Sequence, residues 1–274
     1  MFPKKIAVFA HELPYPPIYG GIADIWNRIQ ALRNRGCEIL LVAWQDASPL
    51  RQPTPEALNH VRKSVMELQM LTYRSGPVAW IKRAILQPCQ PAAVTARLSP
   101  AEGFGAIEKA MRAFDPDVIW VEPLTAVPLA HRYSEKLKRP YFIRSHNVEH
   151  KYTRLVNASD PSLLKRCLNW FVSLGFERYE LRMLKASDAF FDISLDDLRY
   201  WRSRGLTNGY WLPPTIEAGS TEHWSPSVAR YDVSYLGSLN TVTNVEGLAW
   251  FCREVAPLIR AKKPDFSILI SGSQ

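Results

Sequence analysis

Five polar residues in six positions, Ser-His-Asn-Val-Glu-His at 145–150, directly follow a predicted strand at Tyr141–Arg144. Ligands of α/β proteins bind at the carboxyl ends of parallel strands. His146 and His150 are four residues apart and could share a helical face around a metal ion, but no cysteine or third histidine lies nearby. The segment is therefore interpreted as a set of groups that hydrogen-bond a polar substrate. The alternatives are a loop that caps the next helix and, less favoured, a metal site.

A pair of glycines, Gly20 and Gly21, stands between the first predicted strand and the first predicted helix. Backbone N–H groups and the positive end of the helix dipole suit a phosphate at this junction, and glycine lets the phosphate approach closely. The pattern is neither Gly-x-Gly-x-x-Gly nor a Walker loop, which disfavours nicotinamide-dependent and ATPase chemistry. A plain turn is the alternative interpretation.

A similar arrangement recurs late in the chain, where Gly237 and Ser238 follow a predicted strand and Asn244 opens the next predicted helix. Two such crevices that face each other would clamp a nucleotide diphosphate, whereas an ordinary helix cap is the alternative. The sequence has no Gly-x-Ser-x-Gly elbow, so a hydrolase is not supported.

These motifs depend on alternating strands and helices. A buried strand at Lys5–Ala10, a helix at Ile22–Arg35 and a strand at Cys37–Trp44 form the first βαβ unit. Further strands are predicted at Val65–Leu71, Asp117–Val121, Tyr141–Arg144, Ala189–Ile193 and Tyr210–Leu212. Further helices are predicted at Ala79–Leu86, Ala101–Phe114, Ala126–Leu137, Ser162–Lys185 and Asp196–Arg204. The alternation predicts an α/β fold with a doubly wound, Rossmann-like parallel sheet.

The alternation of strands and helices stops in a stretch rich in proline, glycine and serine. This interruption predicts three regions. Residues 1–212 form an N-terminal Rossmann-like domain, residues 213–231 an interdomain linker, and residues 232–274 the first β-α-β of a second domain. In that last region we expect a strand at Asp232–Leu236, a helix at Thr243–Arg260 and a strand at Phe266–Ile270. A lone βαβ is too small to bury both faces of its sheet. We therefore expect an incomplete second Rossmann-like unit in a fragment of a longer protein; the alternative is that this last βαβ packs on the first domain.

The composition describes a globular chain, with 47% hydrophobic and 22% charged residues, and excludes a disordered or fibrous protein. The four cysteines form no C-x-x-C pair, which excludes a zinc ribbon or a small disulfide scaffold and predicts free thiols. The apolar run at residues 6–10 is too short for a signal peptide, and no stretch is long enough to span a bilayer. These features predict a cytoplasmic protein, with attachment to the inner membrane face as a further expectation.

The net charge of +8 is concentrated in residues 131–185, which carry 12 basic and 5 acidic groups. Such a field attracts phosphates. No nucleic-acid-binding signature is present, so a nucleic-acid partner is not expected. Within this region Leu164, Leu168, Phe171 and Leu174 form an apolar stripe beside Lys165 and Arg166. The stripe either packs on its own domain or lies on an anionic membrane surface.

The motifs as a set resemble the GT-B fold glycosyltransferases of the retaining, family-four-like group. The matching pieces follow in order along essentially the whole chain. They are His-Glu-Leu-Pro-Tyr-Pro-Pro with Gly20-Gly21, Arg144-Ser-His-Asn-Val-Glu-His150, Tyr179-Glu180 with Leu184-Lys-Ala-Ser-Asp188 before Asp192-Ile-Ser194, and Tyr235-Leu-Gly-Ser-Leu239 with Asn244-Val-Glu-Gly-Leu-Ala-Trp-Phe251.

The resemblance implies a glycosyltransferase that moves a sugar from a nucleotide-sugar to a glycan or lipid-linked acceptor with retention, without a metal or other cofactor. It implies that His146 is catalytic, and that Gly20, Gly21, Gly237 and Ser238 contact the donor diphosphate. Asn147, Glu149 and Ser194 would be acceptor-side or supporting residues. The family's C-terminal domain continues for over a hundred residues, so its basic phosphate clamp and Glu-x₇-Glu motif would lie past Gln274. A non-catalytic module that binds an acceptor or a partner is the alternative.

Overall fold

The computed structural model describes residues 3–48, 52–73, 85, 91, 94, 97, 104–159, 161–215, 230–239 and 242–272. The chain divides into two compact units, Met1–Ile216 and Glu217–Gln274. Each unit is built around its own parallel sheet.

The first unit contains a seven-stranded sheet in the order β3-β2-β1-β4-β5-β6-β7. Every neighbouring pair is parallel. The strands are β1 (Lys5–Ala10), β2 (Glu38–Asp46), β3 (Glu67–Tyr73), β4 (Val118–Glu122), β5 (Tyr141–Ser145), β6 (Ala189–Asp192) and β7 (Gly209–Trp211). The strand order reverses between β1 and β4, which is the switch point of a doubly wound sheet and the place where such sheets bind ligands.

Apolar strands make this sheet the core, because helices cover both faces. One face packs against α1 (Gly20–Asn34) and α2 (Pro55–Ser64), through residues such as Ile25 and Val61. The other face packs against α3 (Phe104–Phe114), α4 (Val127–Leu137), α7 (Phe176–Ala186) and α8 (Leu195–Ser203). The predicted fold class, α/β with a doubly wound parallel sheet, is confirmed in this unit.

The helix α1 begins two residues earlier than predicted, at Gly20 rather than Ile22. Both glycines therefore lie in the first turn of the helix and not in the loop before it. The apolar spacing could not show this, because glycine has no side chain to join the apolar stripe. The helix α2 was not predicted, although Thr54 and Pro55 mark its start: the Thr54 side chain accepts a hydrogen bond from the Ala57 N–H at 3.2 Å.

The single long helix predicted at Ser162–Lys185 is wrong. The structure has α6 (Leu163–Val172) and then α7, preceded by α5 (Glu149–Ser159). Ser162 caps α6 at its start. Gly175 lies in the left-handed region, at φ +79°, and separates α6 from α7. Glycine is the residue that adopts this conformation without a steric penalty, so the chain turns there.

The second unit contains two parallel strands, β8 (Val233–Leu236) and β9 (Ile268–Ser271). The helix predicted at Thr243–Arg260 is interrupted: α9 (Val242–Trp250) passes through a π-helical turn at Phe251–Val255 into α10 (Ala256–Lys262). Pro257 lies in the first turn of α10, where its missing N–H cannot extend the hydrogen-bond ladder of α9.

Several sequence expectations lie wholly or partly outside the described residues. They are the predicted helix at Ala79–Leu86 apart from Ile85, Cys89, the first three residues of the helix predicted at Ala101–Phe114, and most of the linker predicted at residues 213–231. Cys37, Cys167 and Cys252 are free thiols. Among the described helices, none combines the length and the apolar character that crossing a membrane requires.

Candidate active site

The candidate site lies at the carboxyl ends of the central strands, beside the first turn of α1. Tyr19 precedes this turn without a side-chain capping bond, and the turn contains no acidic residue. The first N–H groups of a helix have no partner within the helix and carry its positive dipole end. Among the described residues, apart from the chain neighbours of Gly20, no atom lies within 4 Å of the position that a Cβ on Gly20 would occupy, so the turn is open to an anion.

His146 lies directly against this turn. A Cβ on Gly21 would lie 3.6 Å from His146 Nδ1 and 3.5 Å from the Tyr19 ring. The fold therefore brings together two residues that are 125 positions apart and that the sequence assigned to one reaction. The His146 side chain is only 11% exposed. Its other ring nitrogen, Nε2, lies 3.3 Å from Glu122 Oε2 and 3.8 Å from Asp24 Oδ2.

Beneath His146 lies a buried charge network, defined here as Asp24, Arg28, Glu122 and Arg144. Arg28 Nε donates to Glu122 Oε1 at 2.7 Å, and its Nη2 pairs with Asp24. Arg144 donates to Asp24 Oδ2 from Nε at 3.2 Å and from Nη2 at 3.1 Å. All four residues are buried. Two cations thus neutralise two anions, which is the condition under which charges are tolerated in a protein interior.

The network fixes the protonation of its members. Burial by itself raises the pKa of the Glu122 carboxyl, but Arg28 and the hydrogen bond from His146 outweigh burial and lower that pKa to about 2. Burial lowers the pKa of Arg28, yet the two carboxylates reverse the effect and raise it overall. Burial and the neighbouring Arg28 lower the pKa of Arg144. Glu122 is therefore an anion at neutral pH, held against His146.

The same network anchors the chain that follows β7. Arg144 donates to the Leu212 carbonyl, and the Thr215 N–H donates to Asp24 Oδ1 at 3.2 Å. Asn27 of α1 donates to the Thr215 carbonyl at 3.2 Å. Asp24 and Arg144 thereby connect three elements: α1, the end of β5 and the segment that leaves the sheet.

Sequence reasoning missed the network, although a signal was present. Asp24 and Arg28 are an i, i+4 pair among the apolar positions of α1, and Arg144 ends a run of apolar residues in a strand. Charged residues at inward-facing positions indicate a buried ionic cluster. The pattern could not show which carboxylates and guanidiniums pair, because their partners come from other parts of the chain.

Asp24, Glu122 and His146 are close enough to hold a metal ion, with one ligand atom from each lying within 4.8 Å of the others. The acceptor oxygens are already engaged, however. Asp24 Oδ2 accepts from two guanidiniums, and Glu122 Oε1 accepts from Arg28 and from Trp120 Nε1. A divalent cation would have to replace these donors and lie beside two guanidinium charges. The donor set fits a neutralised ionic network better than a metal centre.

The two histidines of the polar hexapeptide do not share a face. His146 precedes α5, whereas His150 is buried in α5, pairs with Glu180 and lies 3.1 Å from the Tyr200 hydroxyl. Glu180 also accepts the backbone N–H groups of Glu149 and His150, at 2.8 and 2.9 Å. His150 is therefore a buried residue that attaches α5 to α7 and α8.

Two of the predicted supporting residues flank His146. Asn147 is exposed, and its carbonyl accepts from the Ser145 hydroxyl at 3.1 Å. Glu149 is half-buried, and burial and the nearby Glu180 raise the pKa of its carboxyl. The third, Ser194, caps α8 by accepting from the N–H groups of Asp196 and Asp197 at 3.1 and 3.3 Å.

Asp192, at the end of β6, is a further buried acid at this edge of the sheet. It is 1% exposed, and neither carboxylate oxygen has a hydrogen-bond partner among the described residues. Burial raises the pKa of the Asp192 carboxyl to about 7, with partial relief from Ser145 and Arg144.

Gly237 and Ser238 belong to the second unit and follow β8. A Cβ on Gly237 would lie 2.9 Å from the Tyr235 hydroxyl, so a side chain at this position would require the Tyr235 ring to shift. The Ser238 carbonyl accepts from Asn244 Nδ2 at 2.9 Å. Asn244 thus holds the turn between β8 and α9 in place.

The apolar stripe of the basic region faces outward. Leu164 is 79% exposed and Trp170 is 62% exposed, with Leu163, Phe171 and Leu174 also exposed. The Leu168 side chain lies outside the described residues. Two grooves of about 680 Å³ each share Arg154, Trp170 and Phe171 in their walls. This surface, the α6 patch, combines exposed apolar side chains with the exposed charges of Lys165 and Arg166.

No protein-family model matches the chain. The "uncharacterized 44.6 kDa protein in cps region" of Klebsiella pneumoniae is 24% identical over 272 residues, which are 98% of this chain. The chain spans 65% of the length of that curated relative.

Several solved glycosyltransferase structures share the fold. Anabaena Alr3699/HepE in complex with UDP-glucose matches with a TM-score of 0.50 at 11% identity, over 98% of this chain and 69% of its own. Medicago truncatula UGT71G1 complexed with UDP-glucose matches with a TM-score of 0.53 at 10% identity, over 99% of this chain and 66% of its own. Arabidopsis thaliana UGT89C1 complexed with UDP-L-rhamnose matches with a TM-score of 0.51 at 10% identity, over 100% of this chain and 71% of its own. At these identities the likeness shows the fold alone, which is the Rossmann-like fold of GT-B glycosyltransferases, as predicted.

Proposed function

We propose that the chain is the sugar-transferring part of a nucleotide-sugar-dependent glycosyltransferase that acts with retention. The observation that carries the proposal is the position of His146, whose Nδ1 faces the first turn of α1 at the switch point of the sheet. The His146 ring, which can donate or accept a hydrogen bond, and the start of α1, which suits an anion, thus lie at one site. The fold is that of proteins solved with UDP-glucose and UDP-L-rhamnose, which supports a donor of the same class.

In this proposal the donor diphosphate binds at the open N–H groups of Gly20 and Gly21. Gly237 and Ser238, in the turn that Asn244 holds between β8 and α9, are also proposed to contact phosphate. Asn147 and Glu149 flank His146 and support the acceptor, and Ser194 orders the start of α8. The reaction uses no metal ion, because guanidinium groups already neutralise the carboxylates beside His146.

The acceptor is a glycan or a lipid-linked sugar. The α6 patch supports the lipid-linked form, because exposed apolar and basic side chains together suit the surface of an anionic membrane. In this proposal the protein is cytoplasmic and attaches peripherally to the inner membrane face.

A module that binds an acceptor or a partner without transferring sugar is the second candidate. A binding module would take up acceptor without releasing nucleotide, so turnover separates the two candidates.

The test measures release of nucleoside diphosphate from UDP-, GDP- and dTDP-sugars, with a glycolipid extract as acceptor and with EDTA present. We expect release with one donor class. His146→Ala should cut turnover by roughly 100-fold or more if His146 acts on the transition state. His131→Ala, a partly exposed histidine on α4 outside the site, is the matched control and should keep full turnover.

The anomeric configuration of the product, read by proton NMR, tests retention. Unchanged turnover in His146→Ala, or no release and no binding with any of the three donor classes, would overturn the proposal.

A further inference from the structure

The two ring nitrogens of His146 face different surroundings. Nε2 faces the buried carboxylates, at 3.3 Å from Glu122 Oε2. Nδ1 faces Gly21 and the open first turn of α1, where a Cβ would lie 3.6 Å away. One edge of the ring is therefore directed at the protein interior and the other at the place proposed for the ligand.

Glu122 can only accept a hydrogen bond on its side of the ring. Its Oε1 takes hydrogen bonds from Arg28 Nε and Trp120 Nε1, and its Oε2 lies 3.4 Å from Arg28 Nη2. The carboxyl is ionised at neutral pH, because the adjacent guanidinium lowers its pKa to about 2. An ionised carboxylate has no proton to donate. A hydrogen bond between Glu122 and His146 thus requires that Nε2 carries the proton.

We propose that Glu122 is a positioning residue that holds the proton of neutral His146 on Nε2 and so presents Nδ1 to the ligand as a hydrogen-bond acceptor. The partner of Nδ1 is then a hydroxyl group of the donor's own sugar, which adjoins the diphosphate proposed at this turn, since a hydroxyl can donate to a lone pair whereas a phosphate oxygen cannot. The inference rests on the proposed function for the sugar, but the tautomer itself belongs to the protein without ligand.

Arg28 and Asp24 complete the arrangement. Arg28 keeps Glu122 ionised and in place, and Asp24 ties Arg28 to Arg144. The ring orientation is therefore set by a network that contacts α1, β4 and β5 together, which makes the direction of Nδ1 a property of the fold.

The first experiment reads the tautomer directly. Two-bond ¹H–¹⁵N correlation spectra of the unliganded chain, recorded at about pH 9 where an ordinary histidine is neutral, report which nitrogen carries the proton. The His146 signals are assigned by their loss in His146→Asn. We expect protonated Nε2 and bare Nδ1. A proton on Nδ1 overturns the inference, whatever the enzyme assays show.

Glu122→Gln tests the cause. The carboxamide oxygen would keep the hydrogen bonds from Arg28 and Trp120, so its NH₂ group would face Nε2 and move the ring proton to Nδ1. Turnover should fall by about tenfold or more, while the KM for the nucleotide-sugar stays close to that of the wild type. Trp120→Phe is the matched control: it removes a donor from the other oxygen of Glu122 and should leave the His146 tautomer unchanged.

Two substitutions of His146 distinguish its two edges. Asparagine places a polar atom where Nδ1 was, and glutamine places one where Nε2 was. If Nδ1 contacts the sugar, His146→Asn should retain more turnover than His146→Gln. Equal or greater turnover in His146→Gln, or an unchanged tautomer in a folded Glu122→Gln protein, counts against the inference. Loss of the proposed function alone would appear as absent transfer with the Nε2 tautomer intact.

Discussion

Charged residues buried at the sheet edge determine what the individual side chains can do. His146 could not be held between a helix end and a carboxylate unless Arg28 and Arg144 neutralised Asp24 and Glu122. An isolated buried carboxylate would take up a proton rather than remain an anion. Glu122 and Asp192 show the two outcomes: Glu122, paired with Arg28, has a pKa of about 2, and Asp192, which forms no ion pair within the described part of the chain, has a pKa of about 7.

Gly21→Val tests the phosphate site. The added methyl groups would lie between the first N–H groups of α1 and the ligand, beside His146 Nδ1. Loss of one charge-assisted hydrogen bond should weaken nucleotide-sugar binding by about 10- to 100-fold. Isothermal titration calorimetry with the donor found in the turnover assay measures the change. Gly105→Val, at the start of α3 where no atom lies within 4 Å, should bind as the wild type does. Equal affinities for the two variants would place the diphosphate elsewhere.

Asp192→Asn tests the buried acid. Its pKa is raised from 3.8 in the unfolded chain to about 7 in the folded one. The folded state therefore binds this proton more tightly, and the contribution of Asp192 to stability is present below pH 4 and lost as the pH rises to about 7. Asparagine cannot ionise. The free energy of unfolding of Asp192→Asn should therefore fall less than that of the wild type as the pH rises from 5 to 8, as urea unfolding measures. Parallel pH profiles of the two proteins would show that Asp192 does not titrate in this range.

At the scale of secondary structure, single backbone positions decide where helices begin and end. Apolar spacing alone joined α6 and α7 into one helix, since the stripe continues through both. Gly175 separates the two helices by its left-handed conformation, and the apolar stripe of α6 is exposed to solvent. The spacing of apolar residues indicates which side of a helix is apolar, but it contains no information about the backbone angle φ.

Gly175→Ala tests this turn. An alanine at φ +79° should cost about 1–2 kcal/mol of unfolding free energy, because its Cβ crowds the following carbonyl. Beyond its own backbone and its two chain neighbours, no atom of the described residues lies within 4 Å of that Cβ, so the loss comes from the local backbone alone. Gly105→Ala, in an ordinary helical position, should instead stabilise by up to about 1 kcal/mol. Urea unfolding of both variants gives the sign of each change in unfolding free energy. A stabilised Gly175→Ala protein would contradict the assignment of a left-handed turn at Gly175.

At the scale of the whole molecule, the uneven charge and the α6 patch belong to the same stretch of chain. Twelve basic groups lie in residues 131–185, and the exposed apolar side chains of α6 lie among them. An apolar surface that packed on its own domain would be buried, so its exposure in the structure favours a partner of complementary chemistry.

We expect weak binding to vesicles that contain phosphatidylglycerol and none to neutral phosphatidylcholine vesicles. Each basic group near the anionic surface contributes about 1 kcal/mol, and salt screens the attraction. Reversal of two charges, Lys165→Glu with Arg166→Glu, should reduce co-sedimentation more than tenfold. Arg260→Glu with Lys262→Glu on α10 changes the net charge equally and should have little effect. Binding that is equal on both lipids, or absent at low salt, would make the α6 patch an ordinary solvated surface.

The order and type of most strands and helices, and hence the doubly wound sheet, could be predicted from the amino-acid sequence. Apolar runs such as Lys5–Ala10 and the spacing in α1 are local properties that survive without knowledge of the fold. The sequence also indicated Gly21 and His146 as candidate residues, because each follows a predicted strand. The three-dimensional fold was needed to show that His146 lies beside Gly21, that Glu122 and Arg28 lie behind the histidine ring, and that Gly175 breaks a helix. Those facts depend on contacts between distant positions and on backbone angles, neither of which is written in the local pattern of residue types.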